Sequence, residues 1–277
     1  MNPIQPALFV PHGAPTFALR PGAAGAAISA KAHALPTPRA IIIVSAHWDT
    51  AVPTVGFADR LETIHDFSGF PDELYSLRYP ASGCREAAEL VVAAIRAAGL
   101  PVATDNERGL DHGAWVPLRL MFPEADVPVI PLSIQSHAGP EQAYLLGRAL
   151  APLAAKGILV IASGNLTHNL RDYQLAARNG GQAPGYVPPH VPPYVRQFTD
   201  WMANRLQARD ISALLDYRAQ APGAVQAHPS DEHLLPLFVA LGAGGEQAEV
   251  QRFHAGIDDY VIAMDAYAFL PKNGGRP

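Results

Sequence analysis

Four short apolar runs constrain the fold of this chain more than any other feature. They lie at residues 7–11 (ALFVP), 40–46 (AIIIVSA), 127–134 (VPVIPLSI) and 157–164 (GILVIASG). Near-continuous Val, Ile and Leu is typical of strands that are covered on both faces, as in parallel sheets. Ala/Leu-rich stretches with helical spacing, such as 84–100 and 141–157, lie between the runs. This alternation predicts an α/β fold with a mainly parallel central sheet and helices on both faces.

The length of 277 residues fits one large α/β domain or two small ones. Neither an internal repeat nor a convincing linker divides the chain, so we expect a single domain over residues 1–277. The Gly- and Pro-rich segment 178–194 is predicted to be a loop inserted in that domain. One or two helices are expected after it, and closing strands in the last thirty residues.

Composition limits the class of protein and its partners. A hydrophobic fraction of 49% with 16% charged residues is typical of a globular protein with a sizeable core, and no run approaches the roughly 20 apolar residues of a membrane span. The N-terminus lacks a basic and then apolar leader, so we expect a cytoplasmic location. A net charge of -5 without dense Lys/Arg runs argues against nucleic acid as a partner and favours a small molecule. The single cysteine, Cys84, excludes an internal disulfide.

Three histidines stand just beyond predicted strands. His12, His47 and His168 follow the runs at 7–11, 40–46 and 157–164. Open α/β sheets bind ligands at the carboxyl ends of their strands. A single histidine there is most often structural, but three together favour a metal site, because neutral imidazole is the commonest metal ligand and a rigid sheet holds its ligands in place.

A fourth candidate, His233, lies further along the chain. Residues 230–232 after Pro229 resemble a helix start, which would place His233 in the first turn. His228 is a rival in the same motif, and spacing alone does not choose between the two. Glu232 is a third option, because a carboxylate with two histidines forms the facial triad of non-haem iron oxygenases.

His112 and His65 lack a strand or helix that the sequence defines. His112 is predicted to lie in a tight loop beside a tryptophan, with either a structural role or a role as an acid/base or substrate-anchoring group. His65 is similar, with more weight on a structural or substrate-contact role. The sequence has no GxGxxG after the first strand, no Walker A lysine, no GxSxG and no HExxH, so nucleotide-binding and serine-hydrolase functions are disfavoured.

Eight motifs in order resemble the DOPA 4,5-extradiol dioxygenase family, within the class III extradiol ring-cleavage dioxygenases. They cover residue 7 to about 243 and are PHGAP, SAHW, IHDFSGFP, LYSLRYPA, LDHGAWVPL, PLSIQS, ASGNLTHNLR and EHLLPLFVALGA. The resemblance implies that His12, His47 and His233, rather than His228, bind the metal. It implies that His168 is either a further ligand or the acid/base residue, and that His112 contacts substrate or oxygen.

The resemblance also implies the chemistry. We expect a single divalent metal, Fe(II) for activity or Zn(II), and ring cleavage of a catechol such as DOPA by O2 next to its two hydroxyls. Relatives in the protocatechuate branch carry a glutamate where this chain has His233; two histidines and a carboxylate suit Fe(II), while three or four histidines accept zinc readily. A zinc-dependent hydrolase on the same histidines and a Memo-like non-enzymatic binding protein are the alternatives, and a homo-oligomer is left open. A carboxylate tail on the substrate would need a cation, for which Arg171 is the candidate.

Overall fold

The computed structural model describes residues 3–178 and 191–272. Its strands are β1 (Ala7–Pro11), β2 (Ala40–Asp49), β3 (Thr54–Gly56), β4 (Ala103–Asp105), β5 (Val129–Ile134), β6 (Ile158–Gly164), β7 (Glu249–His254), β8 (Ile257–Asp258), β9 (Ile262–Ala263) and β10 (Ala266–Leu270). Its α-helices are α1 (Gly22–His33), α2 (Asp72–Ser76), α3 (Arg85–Ala97), α4 (His112–Met121), α5 (Gly139–Leu150), α6 (Leu170–Arg178), α7 (Pro193–Ala208), α8 (Ile211–Leu215), α9 (Tyr217–Gln220), α10 (Ala224–Ala227) and α11 (Leu235–Ala243). Short 3-10 helices lie at Pro15–Ala18, Ser136–Ala138 and Ala151–Lys156.

An eight-stranded sheet with the order β4-β3-β5-β2-β6-β1-β10-β7 forms the centre of the molecule. The four apolar runs of the sequence are its adjacent strands β5, β2, β6 and β1, and all three pairings among them are parallel. Strands β10 and β7 extend the sheet antiparallel on one side, and β3 joins β5 antiparallel on the other. The predicted mainly parallel α/β fold is therefore confirmed.

Helices cover both faces of the sheet. Side chains of consecutive strand residues point to opposite faces, and the end of β6 shows what lies on each. Ser163 Oγ contacts the carbonyl of Gly113 in α4, whereas a Cβ built on Gly164 would lie 2.2 Å from the carbonyl oxygen of His233, just before α11. Helix α4 also contacts α1, and α11 packs between the sheet and α5. Both covering helices thus approach the sheet near the carboxyl end of β6.

The central strands and α11 are the most completely buried part of the core. Every residue of β1, β5, β6 and α11 is buried. Such complete burial explains the continuous apolar runs, because strands covered on both faces have no solvent side for polar residues. None of the described helices is long and apolar enough to cross a membrane.

Several boundaries differ from the sequence prediction. The helix expected at 141–157 ends at Leu150 and continues as a 3-10 helix, in which Pro152 occupies an early position that needs no N–H donor. Helix α7 begins at Pro193, inside the segment predicted to be a loop. Most of that predicted loop, residues 179–190, lies outside the described residues.

Candidate active site

Three of the singled-out histidines meet where the chain leaves the central strands. His12 follows β1 directly, His47 lies near the end of β2, and His233 lies in the turn before α11. The chain at the end of β6, which lies between β1 and β2 in the sheet, is hydrogen-bonded to two of them. The His12 N–H donates to the Gly164 carbonyl at 3.3 Å, and the Asn165 N–H donates to the His233 carbonyl at 3.0 Å. Backbone hydrogen bonds from one central strand therefore fix two of the three histidines.

The rings of His12, His47 and His233 form a nearly equilateral triangle. Their centroids are 5.0 Å apart for His12 and His47, 4.9 Å for His47 and His233, and 5.2 Å for His12 and His233. The Nε2 atom of His47 lies 3.2 Å from that of His12 and 3.3 Å from that of His233. A tetrahedral site with metal–nitrogen distances of about 2.0–2.1 Å separates its ligand atoms by about 3.3–3.4 Å. The two measured separations fit a metal bound between these nitrogens.

At Nδ1, the rings of His12 and His233 each contact a hydrogen-bond acceptor, and the His47 ring lies within ion-pair distance of a carboxylate. Ser163 Oγ donates its single proton to the Gly113 carbonyl, so it accepts from His12 Nδ1 at 3.0 Å. His233 Nδ1 lies 3.1 Å from Glu232 Oε1, and His47 Nδ1 lies 3.6 Å from Asp66 Oδ2. Protonated Nδ1 atoms leave the Nε2 lone pairs for a metal, which is the usual arrangement of metal-binding histidines.

Burial keeps these rings neutral. It lowers the pKa of His12 and of His233 well below the usual 6.5, and neighbouring histidines lower both pKa values further. Burial and the nearby His112 lower the pKa of His47 to about 4. Because a histidine must be neutral to bind a metal, the site is ready for ligation at neutral pH without proton release.

His112 begins a helix and does not lie in a tight loop, so that prediction was wrong. Asp111 is the N-cap of α4 and accepts a hydrogen bond from the Ala114 N–H at 3.1 Å. Gly113 and Pro117 inside the helix weaken its helical pattern in the sequence, which is why the pattern pointed to a loop. The His112 ring centroid lies 4.1 Å from that of His47. The helix start thus delivers a fourth imidazole to the edge of the triangle.

The carboxylate of Asp66 holds His112. Its Oδ1 accepts the His112 backbone N–H at 2.8 Å and its Oδ2 lies 3.0 Å from His112 Nδ1. Burial opposes the charge on Asp66, but the hydrogen bonds from His112 outweigh burial and lower the pKa of the carboxyl to about 2. With Nδ1 occupied, Nε2 of His112 has no hydrogen-bond partner among the residues that the structure describes.

His168 lies against His233 and not in the triangle. The two rings are parallel within 8°, with centroids 3.5 Å apart. Burial, and secondarily His228, lower the pKa of His168 to about 3, so this ring too is neutral. Because the two rings are stacked, their lone pairs lie in separate parallel planes and do not converge on one point.

His228 and Glu232 take supporting positions. His228 is fully buried, and its Nε2 donates to the Leu166 carbonyl at 2.9 Å. The carboxylate of Glu232 contacts Nδ1 of His233, on the side of the ring opposite the neighbouring Nε2 of His47. Side-chain atoms that could bind a metal form two groups, within each of which they lie within 4.8 Å of one another. One group is His12, His47 and His112, and the other is His168, Glu232 and His233. The 3.3 Å contact between His47 and His233 joins these groups into one site.

His233 itself lies ahead of its helix, and the prediction that it lies in the first turn was wrong. The regular helix α11 begins at Leu235, and the N–H groups of Leu234 and Leu235 both bond to the Asp231 carbonyl. Pro236 is compatible only with the first turn of a helix, because an interior proline clashes with the carbonyl four residues earlier. The helix therefore begins later than the capping pattern at 230–232 suggested.

Comparison with known proteins places the chain in a family. Residues 21–264 match the family model described as the catalytic LigB subunit of aromatic ring-opening dioxygenase. The chain belongs to the LigB family. A 4,5-DOPA dioxygenase extradiol of Beta vulgaris is 40% identical over 233 residues, which cover 84% of this chain and 83% of that protein. A protein of the same name from Escherichia coli is 36% identical over 261 residues, covering 94% and 93% of the two chains.

The LigB assignment extends to the fold and the type of reaction. The crystal structure of the uncharacterized protein JW3007 from Escherichia coli superposes with a TM-score of 0.75 at 29% identity, covering 96% of this chain and 99% of that one. These similarities confirm the predicted family, fold and enzyme class, an extradiol ring-opening dioxygenase that uses a non-haem metal.

Sequence reasoning missed the residues that support the LigB-type histidines. Ser163 faces His12, Asp66 faces His112 and His47, and Asp111 accepts hydrogen bonds from Ser45 Oγ at 2.5 Å and from Arg108 at 2.6 Å. Only Asp111 had a local signal, since an aspartate that precedes a helix is a preferred N-cap. The contacts of Asp66 with His112 and of Ser163 with His12 join residues that are 46 or more positions apart in the chain. Asp66 and His47 are closer in the chain, but no local pattern reveals their contact either.

His65 and Arg171 are the remaining residues that the sequence analysis singled out. His65 Nε2 lies 3.1 Å from the Leu77 carbonyl, and its ring packs near Phe67, Tyr75 and Trp115, which gives it a structural contact in an aromatic cluster. Arg171 is exposed at the start of α6, three residues beyond His168.

Proposed function

We propose that this chain cleaves a catechol ring next to its two hydroxyls, using Fe(II) bound by His12, His47 and His233 and O2 as co-substrate. The observation that carries the proposal is the triangle of imidazoles, in which neighbouring Nε2 atoms lie 3.2 and 3.3 Å apart and each Nδ1 faces an acceptor. Two further imidazoles, those of His112 and His168, border it, as a reaction that moves protons requires.

Three neutral histidines suit both Fe(II) and Zn(II) as ligands. When bound, Fe(II) supplies open coordination positions and one-electron chemistry that protein side chains lack. Ring opening by O2 needs that chemistry, which is why we propose iron rather than zinc for the active protein. The chain's own contribution is to hold the ligand nitrogens in place through Ser163, Glu232 and Asp66.

His168 is proposed as the acid/base residue. Its ring stacks on a ligand ring at the border of the triangle, which places a nitrogen to take the proton of a catechol hydroxyl. The stacked geometry disfavours the alternative in which His168 is a fourth ligand. A deprotonated catechol gives up electrons to oxygen more readily, so this proton transfer precedes ring opening.

His112 is proposed as the residue that contacts oxygen or substrate from the other side of the triangle. Its Nδ1 is held by Asp66, so only Nε2 can exchange a proton there. His112 and His168 flank different ligands, His47 and His233, since their ring centroids lie 4.1 and 3.5 Å from these partners. Two proton-transferring groups on two sides suit a reaction that takes a proton and later returns one.

The proposed substrate class is a catechol with an amino-acid side chain. Two relatives at 36% and 40% identity are named 4,5-DOPA dioxygenase extradiol. With L-DOPA, cleavage between ring carbons 4 and 5 gives a yellow semialdehyde-type product. Because the motifs run along most of the chain, we also propose that residues 1–277 form a single catalytic domain.

The test is oxygen uptake by the full chain. The protein is reconstituted anaerobically with Fe(II), mixed with L-DOPA or another catechol, and exposed to oxygen while oxygen consumption and near-visible absorbance are followed. We expect one O2 consumed per catechol, a yellow product, no turnover with Zn(II), and loss of turnover in His12→Ala.

His33→Ala is the matched control, because His33 is an exposed histidine at the end of α1, ahead of the start of β2 and so at the opposite edge of the sheet from the site, and it should leave turnover unchanged. No uptake with any catechol, in a protein that holds zinc tightly, would contradict the proposal and favour a zinc-dependent hydrolase, in which the metal activates water.

A further inference from the structure

We propose that Asp66 is a positioning residue: it fixes the orientation of the His112 ring and the proton on its Nδ1, and it links this ring to the ligand His47. The effect on turnover rests on the proposed function, whereas the effect on the position of the proton does not. The contacts and the local backbone both carry the assignment.

Asp66 contacts His112 at two points. Oδ1 accepts the backbone N–H at 2.8 Å, and Oδ2 lies 3.0 Å from the ring Nδ1. An ionised carboxylate only accepts hydrogen bonds, so Nδ1 of His112 must carry a proton. Because backbone and ring of the same residue are held by the same carboxylate, the ring is not free to rotate away from the metal-binding triangle.

The same carboxylate oxygen also faces the metal site. Asp66 Oδ2 lies 3.6 Å from Nδ1 of His47, whose Nε2 points to His12 and His233. A carboxylate behind a ligand histidine orients the ring and raises its basicity. One oxygen therefore connects a ligand with the ring proposed to exchange protons, a link that no local sequence pattern revealed.

The backbone around Asp66 is rigidly attached to the start of α4. The Ile64 N–H donates to the Leu110 carbonyl at 2.7 Å, and the Leu110 N–H donates to the Glu62 carbonyl at 2.8 Å. The indole N–H of Trp115 donates to the Ile64 carbonyl at 3.0 Å. These bonds keep the segment 62–66 against the segment that carries His112, as precise positioning of a catalytic side chain requires.

The asparagine variant tests this role. The side-chain amide in Asp66→Asn would retain an acceptor oxygen but would also offer an N–H₂ donor to Nδ1, so His112 should no longer be restricted to the Nδ1–H form. We expect Asp66→Asn to keep near-normal metal content, because Ser163 and Glu232 still support His12 and His233. We expect kcat to fall about 10- to 100-fold, the usual cost of removing a supporting carboxylate, and KM to change much less.

The first measurement requires no turnover. Long-range ¹H–¹⁵N spectra of the zinc-loaded full chain, labelled at histidine and recorded at alkaline pH, report which ring nitrogen carries the proton, and the His112 signals are those lost in His112→Gln. The proposal expects the Nδ1–H form in the wild type and a mixture or the Nε2–H form in Asp66→Asn. The same Nδ1–H form in both proteins would overturn it.

Two further variants separate positioning from a general structural effect. Glu62→Gln alters an exposed carboxylate four residues earlier in the same segment and should change neither the spectrum nor kcat. Asp66→Glu keeps the carboxylate and should regain part of the lost kcat. A fall in kcat that only parallels loss of bound metal would overturn the proposal. If the spectra change as expected but no catechol is oxygenated, the role of Asp66 stands and the proposed function fails.

Discussion

The imidazole of His168 stacks on that of His233, with 3.5 Å between the centroids and 8° between the planes. His233 shares the triangle with His12 and His47, whereas His168 lies outside the triangle and borders it through this stack. Because a ligand lone pair lies in the plane of its ring, parallel rings in different planes do not both point at one metal ion. The stack therefore supports the proposed acid/base role of His168 over the alternative in which His168 is a further ligand.

Replacing His168 should leave metal binding intact and remove turnover. In His168→Gln, the triangle of ligands is unchanged, but the basic nitrogen stacked beside it is gone. We expect about one equivalent of Fe(II) with near-normal affinity and a loss in kcat of about 10²- to 10⁴-fold, the usual contribution of a positioned acid/base group. Metal titration and single-turnover kinetics check this expectation. A large loss of metal affinity in His168→Gln would show instead that His168 is a ligand.

Replacing His47 should remove metal binding as well as turnover. His47→Ala takes away the ring whose Nε2 contacts both His12 and His233. We expect metal affinity to fall by more than about 100-fold, beyond the loss typical of supporting residues, and turnover to disappear. The His47 side chain is 24% exposed, so the fold should remain cooperative in urea unfolding. A variant with normal metal content would contradict the assignment of His47 as a ligand.

Gly113 has no room for a side chain. A Cβ at this position would lie 2.5 Å from Ser45 Oγ and 2.8 Å from Cδ2 of His47. In Gly113→Ala the His47 ring must move, so we expect a loss of about 10- to 100-fold in metal affinity and about 1–3 kcal/mol of stability from overpacking. Isothermal titration with Zn(II) and urea unfolding measure the two effects.

A second crowded glycine provides the control for this prediction. A Cβ on Gly242 in α11 would lie 2.3 Å from the Tyr144 carbonyl oxygen in α5, a packing contact between two helices. Gly242→Ala should therefore lower stability without a specific change in metal affinity. Equal losses of affinity in both variants would mean that general destabilisation, and not displacement of His47, accounts for the effect of Gly113→Ala.

The sequence predicted the central sheet because the signal is local. Strands β1, β2, β5 and β6 are covered on both faces, so their apolar runs are continuous and easily recognised. The placement of His12 followed from the same pattern, since it stands directly beyond one of these strands. His47 was expected after its strand, but β2 extends to Asp49 and includes it. The pairing of β2 with β6 ends earlier, at Ser45.

The parts that the sequence could not predict depend on contacts between distant segments. Asp66 and His112 are 46 residues apart, and Ser163 and His12 are 151 apart. The start of α4 was missed because Gly113 and Pro117 are poor helix formers, and its stability comes from Asp111 and from packing on the sheet. The proposed ligands His12 and His47 could therefore be predicted from strand ends, whereas the groups that orient them required the folded chain.

His228 should make the stability of the protein depend on pH. It is fully buried, and burial lowers its pKa to about 4, below the 6.5 of an exposed histidine. The unfolded chain therefore binds a proton more readily than the folded one between these two values. The resulting stability is fully present above about pH 6.5 and is lost as pH falls to about 4, which for this shift amounts to about 3 kcal/mol.

The variant His228→Gln removes this titration while keeping a donor for the Leu166 carbonyl, which His228 Nε2 contacts at 2.9 Å. The metal-free wild type is compared with the metal-free variant, because the other buried histidines are present in both proteins. We expect the variant to be less stable at pH 8 and to approach or exceed the wild type at pH 5, because only the wild type must also keep the buried His228 ring unprotonated. Urea unfolding across this range measures the difference, and His137→Gln, at an exposed histidine, should give a curve parallel to that of the wild type. Parallel curves for wild type and His228→Gln would mean that His228 binds a proton equally well in the folded and unfolded chains, contrary to its burial.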